Sequence, residues 1–333
     1  MKKALLVVGV ALFVMILGYR HALSSIGSAQ DRTVIAIESG MSVSGIADLL
    51  AEKGLIRSPF IFRLYVRLHG AQSNLQAGRF VLSGDMSVPQ IVDVLRSGKS
   101  QEVSVTIPEG WTVTDIDAAL ARMGLAESGS IIDCAQRCDF SSFDFLPKVS
   151  NLAERGGTLE GYLYPDTYFA DTANFVPKFF LERMLGAFRK NVVAGQAEAI
   201  KASGHSLHEI VTMASLVEEE TKTDEERPVV AGILWKRYDG NIGLGVDATV
   251  RYILDKPTSA ITVSDLETVS PYNTRKFRGL PPGPIANPGL KSILATLEPQ
   301  ESPYWYYLHD SKGVIHYATT NEEHNENRRK YLR

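Results

Sequence analysis

The sequence predicts an α+β protein in three parts: an apolar amino-terminal helix, a region of short strands and helices, and a larger α+β region that carries the chemistry. Three observations predict it. Ala4 to Tyr19 (ALLVVGVALFVMILGY) is an uncharged run; a strand–turn–helix pattern occurs three times before residue 125; and beyond residue 159 a strongly periodic helix is followed by polar, turn-rich motifs. The divisions expected are 1–24 for a cytoplasmic tip and transmembrane anchor, 33–125 for the strand/helix region, 126–158 for a turn-rich boundary and 159–333 for the larger domain.

At about 1.5 Å per residue the apolar run reaches roughly 24 Å, a little under the hydrocarbon thickness, so Ala22, Leu23 and snorkelling flanks complete a span. Lys2 and Lys3 precede the run and Arg20 and His21 follow it, which orients the amino terminus to the cytoplasm and everything after about residue 24 outside the plasma membrane. The competing reading is a cleaved leader, with Gly27, Ser28 and Ala29 as a small-residue site before Gln30. Both export the bulk of the chain.

The repeated pattern pairs a short alternating strand with a hydroxyl-capped amphipathic helix. Ile35 to Ile37 leads to Ser42; Phe80 to Leu82 leads to Ser87; Val105 to Ile107 leads to Thr112. Gln90 stands three residues after Ser87, as in a capping box. The region resembles the LysM-like modules of cell-wall proteins, which implies either glycan binding or a spacer that lifts the rest of the chain off the membrane. Cys134 and Cys138, the only cysteines, suit a small disulfide in an oxidising compartment better than a zinc site, for which two thiolates are too few. No metal or cofactor is expected. The net charge of −3 and a pI near 6.2 remove the electrostatic basis for a nucleic-acid partner.

Candidate chemistry concentrates in the last part. His208 to Thr221 (HEIVTMASLVEEET) places Ile210, Val211, Met213, Ala214, Leu216 and Val217 on one broad helical face, with Glu218 and Glu220 on its two borders and Glu219 pointing away. A carboxyl group at such a border is partly desolvated and can hold a proton near neutral pH, and periodicity does not choose between Glu218 and Glu220. Tyr162 and Tyr164 fall on one side of a possible strand, suited to sugar rings and equally to a core. Asp247, Thr249, Tyr272 and Asn273 are polar groups able to converge on a ligand, beside a rigid Pro/Gly loop at 279–289.

The motifs MASLVEEET (213–221), EGYLYPDTY (160–168), GVDATVRY (245–252), SPYNT (270–274), GLPPGPIANPG (279–289) and HYATTNEEHN (316–325) together resemble the YceG-like family of endolytic murein transglycosylases. With the apolar run and the LysM-like region the likeness covers nearly the whole chain. It implies a catalytic glutamate at the last acid of an A-S-x-x-E-x-E-T pattern, Glu220, with Glu218 as the pattern's other glutamate; Glu219 departs from it, since lysine is frequent there. It also implies cleavage of the MurNAc–GlcNAc β-1,4 bond to leave 1,6-anhydro ends, so terminating nascent strands, with peptidoglycan strands, the plasma membrane and peptidoglycan synthases as partners. The roles of Glu218, Asp247, Thr249, Tyr272, Asn273, Tyr162 and Tyr164 in binding substrate are expectations. A hydrolytic muramidase using Asp247 as second carboxylate, and a non-catalytic wall-binding or divisome scaffold, are the alternatives.

Overall fold

The computed structural model describes residues 15, 17–27, 32–97, 102–148, 159–171, 175–256 and 261–332. Most of the apolar run, Ser28 and Ala29 of the small-residue site, and residues 149–158 lie outside them. Among the described residues no helix is long and apolar enough to cross a membrane.

The chain forms two compact units, 1–102 with 171–174, and 103–170 with 175–333. The first holds β1 (Arg32–Ile37), α1 (Val43–Glu52), α2 (Pro59–Leu68), β2 (Gly78–Ser83) and α3 (Val88–Ser97). Its strands pair antiparallel, Arg32 opposite Ser83 through Ile37 opposite Gly78. Ser42 caps α1 by accepting the Gly45 amide at 3.1 Å, and Gln90 accepts the Ser87 amide at 2.8 Å. The helix α2, capped by Ser58, interrupts the simple repeat. Ile46, Leu50, Phe62, Val66, Leu82, Ile91 and Leu95 close a separate core.

The second unit begins with the third copy of the pattern, β3 (Glu102–Thr106) and α4 (Val113–Arg122), followed by α5 (Ser130–Arg137) and β4 (Thr167–Asp171), which pairs with β3. The unit boundary therefore falls within the region that the sequence groups as one array. Val105, Ile107, Val113, Ile116 and Leu120 share a core with Leu159, Tyr162 and Phe180. The stretch from 126 to 148 packs into this core as well. Ile131, Cys134 and Ala135 recur at helical spacing along α5, and all three are buried in that same core. Cys134 and Cys138 are joined by a disulfide.

Then come α6 (Pro177–Phe188), a π-helical turn (Arg189–Ala194), α7 (Ala197–Ser203), α8 (Leu207–Glu220), α9 (Glu226–Asp239), α10 (Asp247–Leu254), α11 (Val263–Leu266), α12 (Leu290–Leu297), the antiparallel hairpin β5 (Tyr306–His309) and β6 (Ile315–Ala318), and α13 (Asn321–Tyr331). Of these, α8 organises the unit. Ser206 and Glu209 form its capping box, and residues 210 to 217 are buried on every side. Ile210, Val211 and Ala214 belong to the core of β3, β4 and α4 to α6, whereas Met213, Leu216 and Val217 pack with α9 and α10. A helix fixed between two cores has little freedom to slide, which sets the position of its carboxyl-terminal turn.

Candidate functional site

Three consecutive glutamates end α8 and meet three different surroundings. Glu218 accepts from Arg227 at 3.2 Å and from the Gly289 amide at 2.9 Å, with both charged side chains about one-tenth exposed. Arg227 in turn binds Asp224 and Ser292. Glu218 thus ties α8 to α9 and to the start of α12, and does not line the cleft described below. Glu219 is exposed, against Gly110. Its carboxyl is pushed up to about 7 by desolvation and then by Glu218, Glu220 and Asp115, while the solvent at its surface screens those repulsions.

Glu220 faces a cleft of about 580 Å³ lined also by Arg237, Asp247, Arg275, Tyr306, Tyr307, His309, Asn321, His324 and Arg328. Its Oε2 accepts the Tyr307 hydroxyl at 3.0 Å, and it receives the backbone amide of Ala248 in the first turn of α10. Burial pushes its carboxyl up to about 7, with Asp247 adding to the rise; Tyr307, Ala248 and Arg275 act the other way without cancelling it. Burial and the neighbouring Glu220 likewise hold the Tyr307 phenol well above its ordinary range, so it remains a donor. The result is one carboxyl group able to give or take a proton near neutrality, oriented by a phenol and a helix amino-terminal amide.

β5 supplies two contacts to carboxylates on neighbouring helices. Tyr307 reaches Glu220, and two residues on, His309 Nε2 lies 3.1 Å from Glu226, a buried carboxylate that also accepts the Lys222 amide. Arg237 donates to the carbonyls of Gly243 and Trp305 and so fixes the cleft's rim. Asp247, at the start of α10, is paired with Arg275.

Of the other residues singled out in the sequence, only Asp247 shares the cleft with Glu220. Thr249 is fully buried and donates to the Val246 carbonyl at 2.7 Å, near Thr274. Asn273, also fully buried, pins its loop through the carbonyls of Leu266 and Thr268. Tyr272 packs on Tyr252 in the core at 5.4 Å between ring centroids. The stretch 159–165 is a set of turns rather than a strand, because Gly161 takes φ +85° and lies so close to Pro284 that a Cβ would sit 2.4 Å from it. Tyr162 is consequently buried with its hydroxyl 2.9 Å from His208, and Tyr164 packs at the edge of the same core. Neither aromatic lines the cleft.

These motifs form a frame instead. Asn287 donates to the Trp111 carbonyl at 2.7 Å and accepts the Leu163 amide at 2.9 Å, and Glu160 accepts the Val113 amide at 3.0 Å. The Ser215 hydroxyl on α8 accepts the Ile285 amide at 3.1 Å. Loop 279–289 is thereby stitched to the turn before α4, to the 160–163 turn and to the helix carrying Glu220. Among the described residues, no group of three His, Cys, Asp or Glu side chains could hold a metal ion.

The model of the YceG-like family matches residues 35–330. The chain belongs to this family. It is 35% identical to the endolytic murein transglycosylase of Bacillus subtilis, over 90% of this chain and 84% of that protein. It is 28% identical to the endolytic murein transglycosylase of Streptococcus pneumoniae, over 93% of this chain but 61% of the longer streptococcal protein. A crystal structure of a YceG-like protein from Listeria monocytogenes aligns with a TM-score of 0.61 and 32% identity, covering 89% of this chain and 99% of that one. Of the residues that line the cleft, Glu220 and Asp247 carry a signal in the sequence, whereas Tyr307, Arg237, Arg275 and His309 do not. His324 and Asn321 lie in the HYATTNEEHN motif, which signalled the family without revealing a role; Tyr307 carried no signal beyond an aromatic-rich strand.

Proposed function

We propose that the chain is a lytic transglycosylase that cleaves the MurNAc–GlcNAc β-1,4 bond within peptidoglycan strands, with Glu220 as the single acid/base. The observation that carries this reading is the enclosed carboxyl group raised to about 7 beside a donor phenol in a cleft, and the names of the Bacillus and Streptococcus relatives support it. Glu220 gives its proton to the glycosidic oxygen as the bond to the anomeric carbon breaks. The sugar's own C6 hydroxyl then attacks that carbon and its proton passes to Glu220, restoring the acid and leaving a 1,6-anhydro end. One carboxyl group suffices because no water is added. Asp247, paired with Arg275, would contribute negative charge near the developing oxocarbenium ion.

The apolar run at 4–19 supports a single-pass anchor in the plasma membrane with the catalytic unit outside it, where nascent strands and their synthases are found. The strand–helix–helix–strand order of 32–83 supports a LysM-like role for the first unit in holding glycan. Asp247 in the same cleft keeps a hydrolytic muramidase as the second reading. Digestion of purified glycan strands, read by mass, tests both. The wild type is expected to give anhydro ends and Glu220→Gln to lose at least about 10³-fold in rate. Near-normal turnover by a folded Glu220→Gln would refute the assignment, and reducing ends heavier by one water would favour hydrolysis.

A further inference from the structure

The acid/base step leaves one wall of the cleft unused. Asn321, His324 and Arg328 along α13, and Leu332 just past its end, recur at helical spacing, and all four line the cleft. The His324 ring stacks on Tyr306 at 5.3 Å between centroids, and the Arg237 guanidinium lies 5.4 Å from the same Tyr306 centroid. His324 Nδ1 is buried and makes no hydrogen bond. One turn further along α13, the Arg328 side chain has no ion-pair or hydrogen-bond partner among the described residues. Arg275 completes the group, with its Nε engaged by Asp247. Burial, and then the charges of Arg328, Arg237 and Arg275, lower the proton affinity of His324, so its imidazole stays neutral with one ring N–H to give.

A concave wall with an unpaired guanidinium and an unpaired imidazole nitrogen is complementary to a carboxylate rather than to a neutral sugar hydroxyl. A murein disaccharide carries carboxylates only through the lactyl arm of the muramoyl residue, as the free lactyl acid or on a peptide attached to it by an amide bond, because the sugars themselves are uncharged. We propose that His324 and Arg328, backed by Arg237 and Arg275, form a subsite for the carboxylate borne on the lactyl arm of a muramoyl residue next to the cleaved bond. That carboxylate is either the free lactyl acid of a peptide-free strand or the first carboxylate of an attached stem peptide. The inference rests on the reading of the cleft as a murein site.

The test is calorimetry with thio-linked GlcNAc–MurNAc tetrasaccharides, which resist cleavage, so that affinity is read independently of turnover. Three probes are compared: the free lactyl acid, its neutral methylamide, and the lactyl arm extended by an alanyl-glutamate dipeptide. The wild type is expected to bind at least one acidic probe about ten-fold more tightly than the methylamide, and Arg328→Ala to bring the acidic and neutral probes to the same affinity. Preference for the free acid identifies the peptide-free strand as the source, and preference for the dipeptide identifies the stem. His324→Ala, a second variant on the same wall, is expected to reduce the same ratio. Equal binding of all three probes by the wild type, or a preference that survives both substitutions, overturns the subsite. Failure of the catalytic reading shows separately, as continued cleavage of natural strands by Glu220→Gln.

Discussion

Two turns in this molecule share a plan and differ in what surrounds them. The turn before α1 runs Gly40, Met41, Ser42, Val43, and the turn before α4 runs Gly110, Trp111, Thr112, Val113; each sets a glycine at positive φ ahead of a hydroxyl that caps the helix. Around Gly40 there is open space, and the helix it introduces packs into a core of its own unit. Gly110 gives its amide to the Asn287 carbonyl, and its α-carbon lies against Glu219 at the end of α8. The same local pattern builds a self-contained small unit in one place and packs against the glutamate-bearing end of α8 in the other. Local sequence specifies the element; a partner 176 residues away, Asn287 for Trp111, specifies its use.

The comparison breaks most sharply at Asn287. Replacing it with Ala leaves the buried Leu163 amide without a partner, while the Trp111 carbonyl loses its side-chain donor but keeps the Asn287 backbone amide, and we expect a loss of about 2 kcal/mol, confined to the second unit. Chemical denaturation followed separately for the two units checks this; a loss that falls equally on the first unit would contradict the division. A finer contrast comes from the glycines. Gly40→Ala and Gly110→Ala are each expected to cost about 1 kcal/mol for holding alanine at positive φ. Only the Gly110 variant should also lower kcat/KM, by a few-fold, since its Cβ would press within 3.0 Å of Glu219 in the turn that carries Glu220. Equal activity in the two variants would mean that the turn before α4 does not support the site.

The same distinction explains what was legible in the sequence. The 3.6-residue period of 208–221 placed α8 within a residue at each end, and hydroxyls at Ser42 and Thr112 marked helix starts, because both signals are local. Periodicity left Glu218 and Glu220 equivalent. They separate only when Arg227 and the Gly289 amide take one and Tyr307 takes the other. Tyr162 resembled a sugar platform because aromatic density looks alike in a core and in a groove; the left-handed Gly161 beside Pro284 turns it inward. Thr249 and Asn273 are polar groups in polar motifs, and they do bond, but to nearby backbone carbonyls, Thr249 to Val246 at the start of α10 and Asn273 to Leu266 and Thr268. The division after Glu102 is not legible in the sequence because three similar strand–helix copies carry no mark of which core each one enters.

Raised proton affinity at Glu220 also has a consequence for stability. Its carboxyl ionises more easily unfolded, near the ordinary 4.5, than folded, near 7, so its contribution to stability is full below about 4.5 and is lost as pH rises through 7. Carbon-13 NMR titration of the Glu220 carboxyl, identified by its absence from Glu220→Gln, measures the proton directly. Titration centred near 7 is the expected result, and titration near 4.5 would contradict a neutral acid held in the cleft.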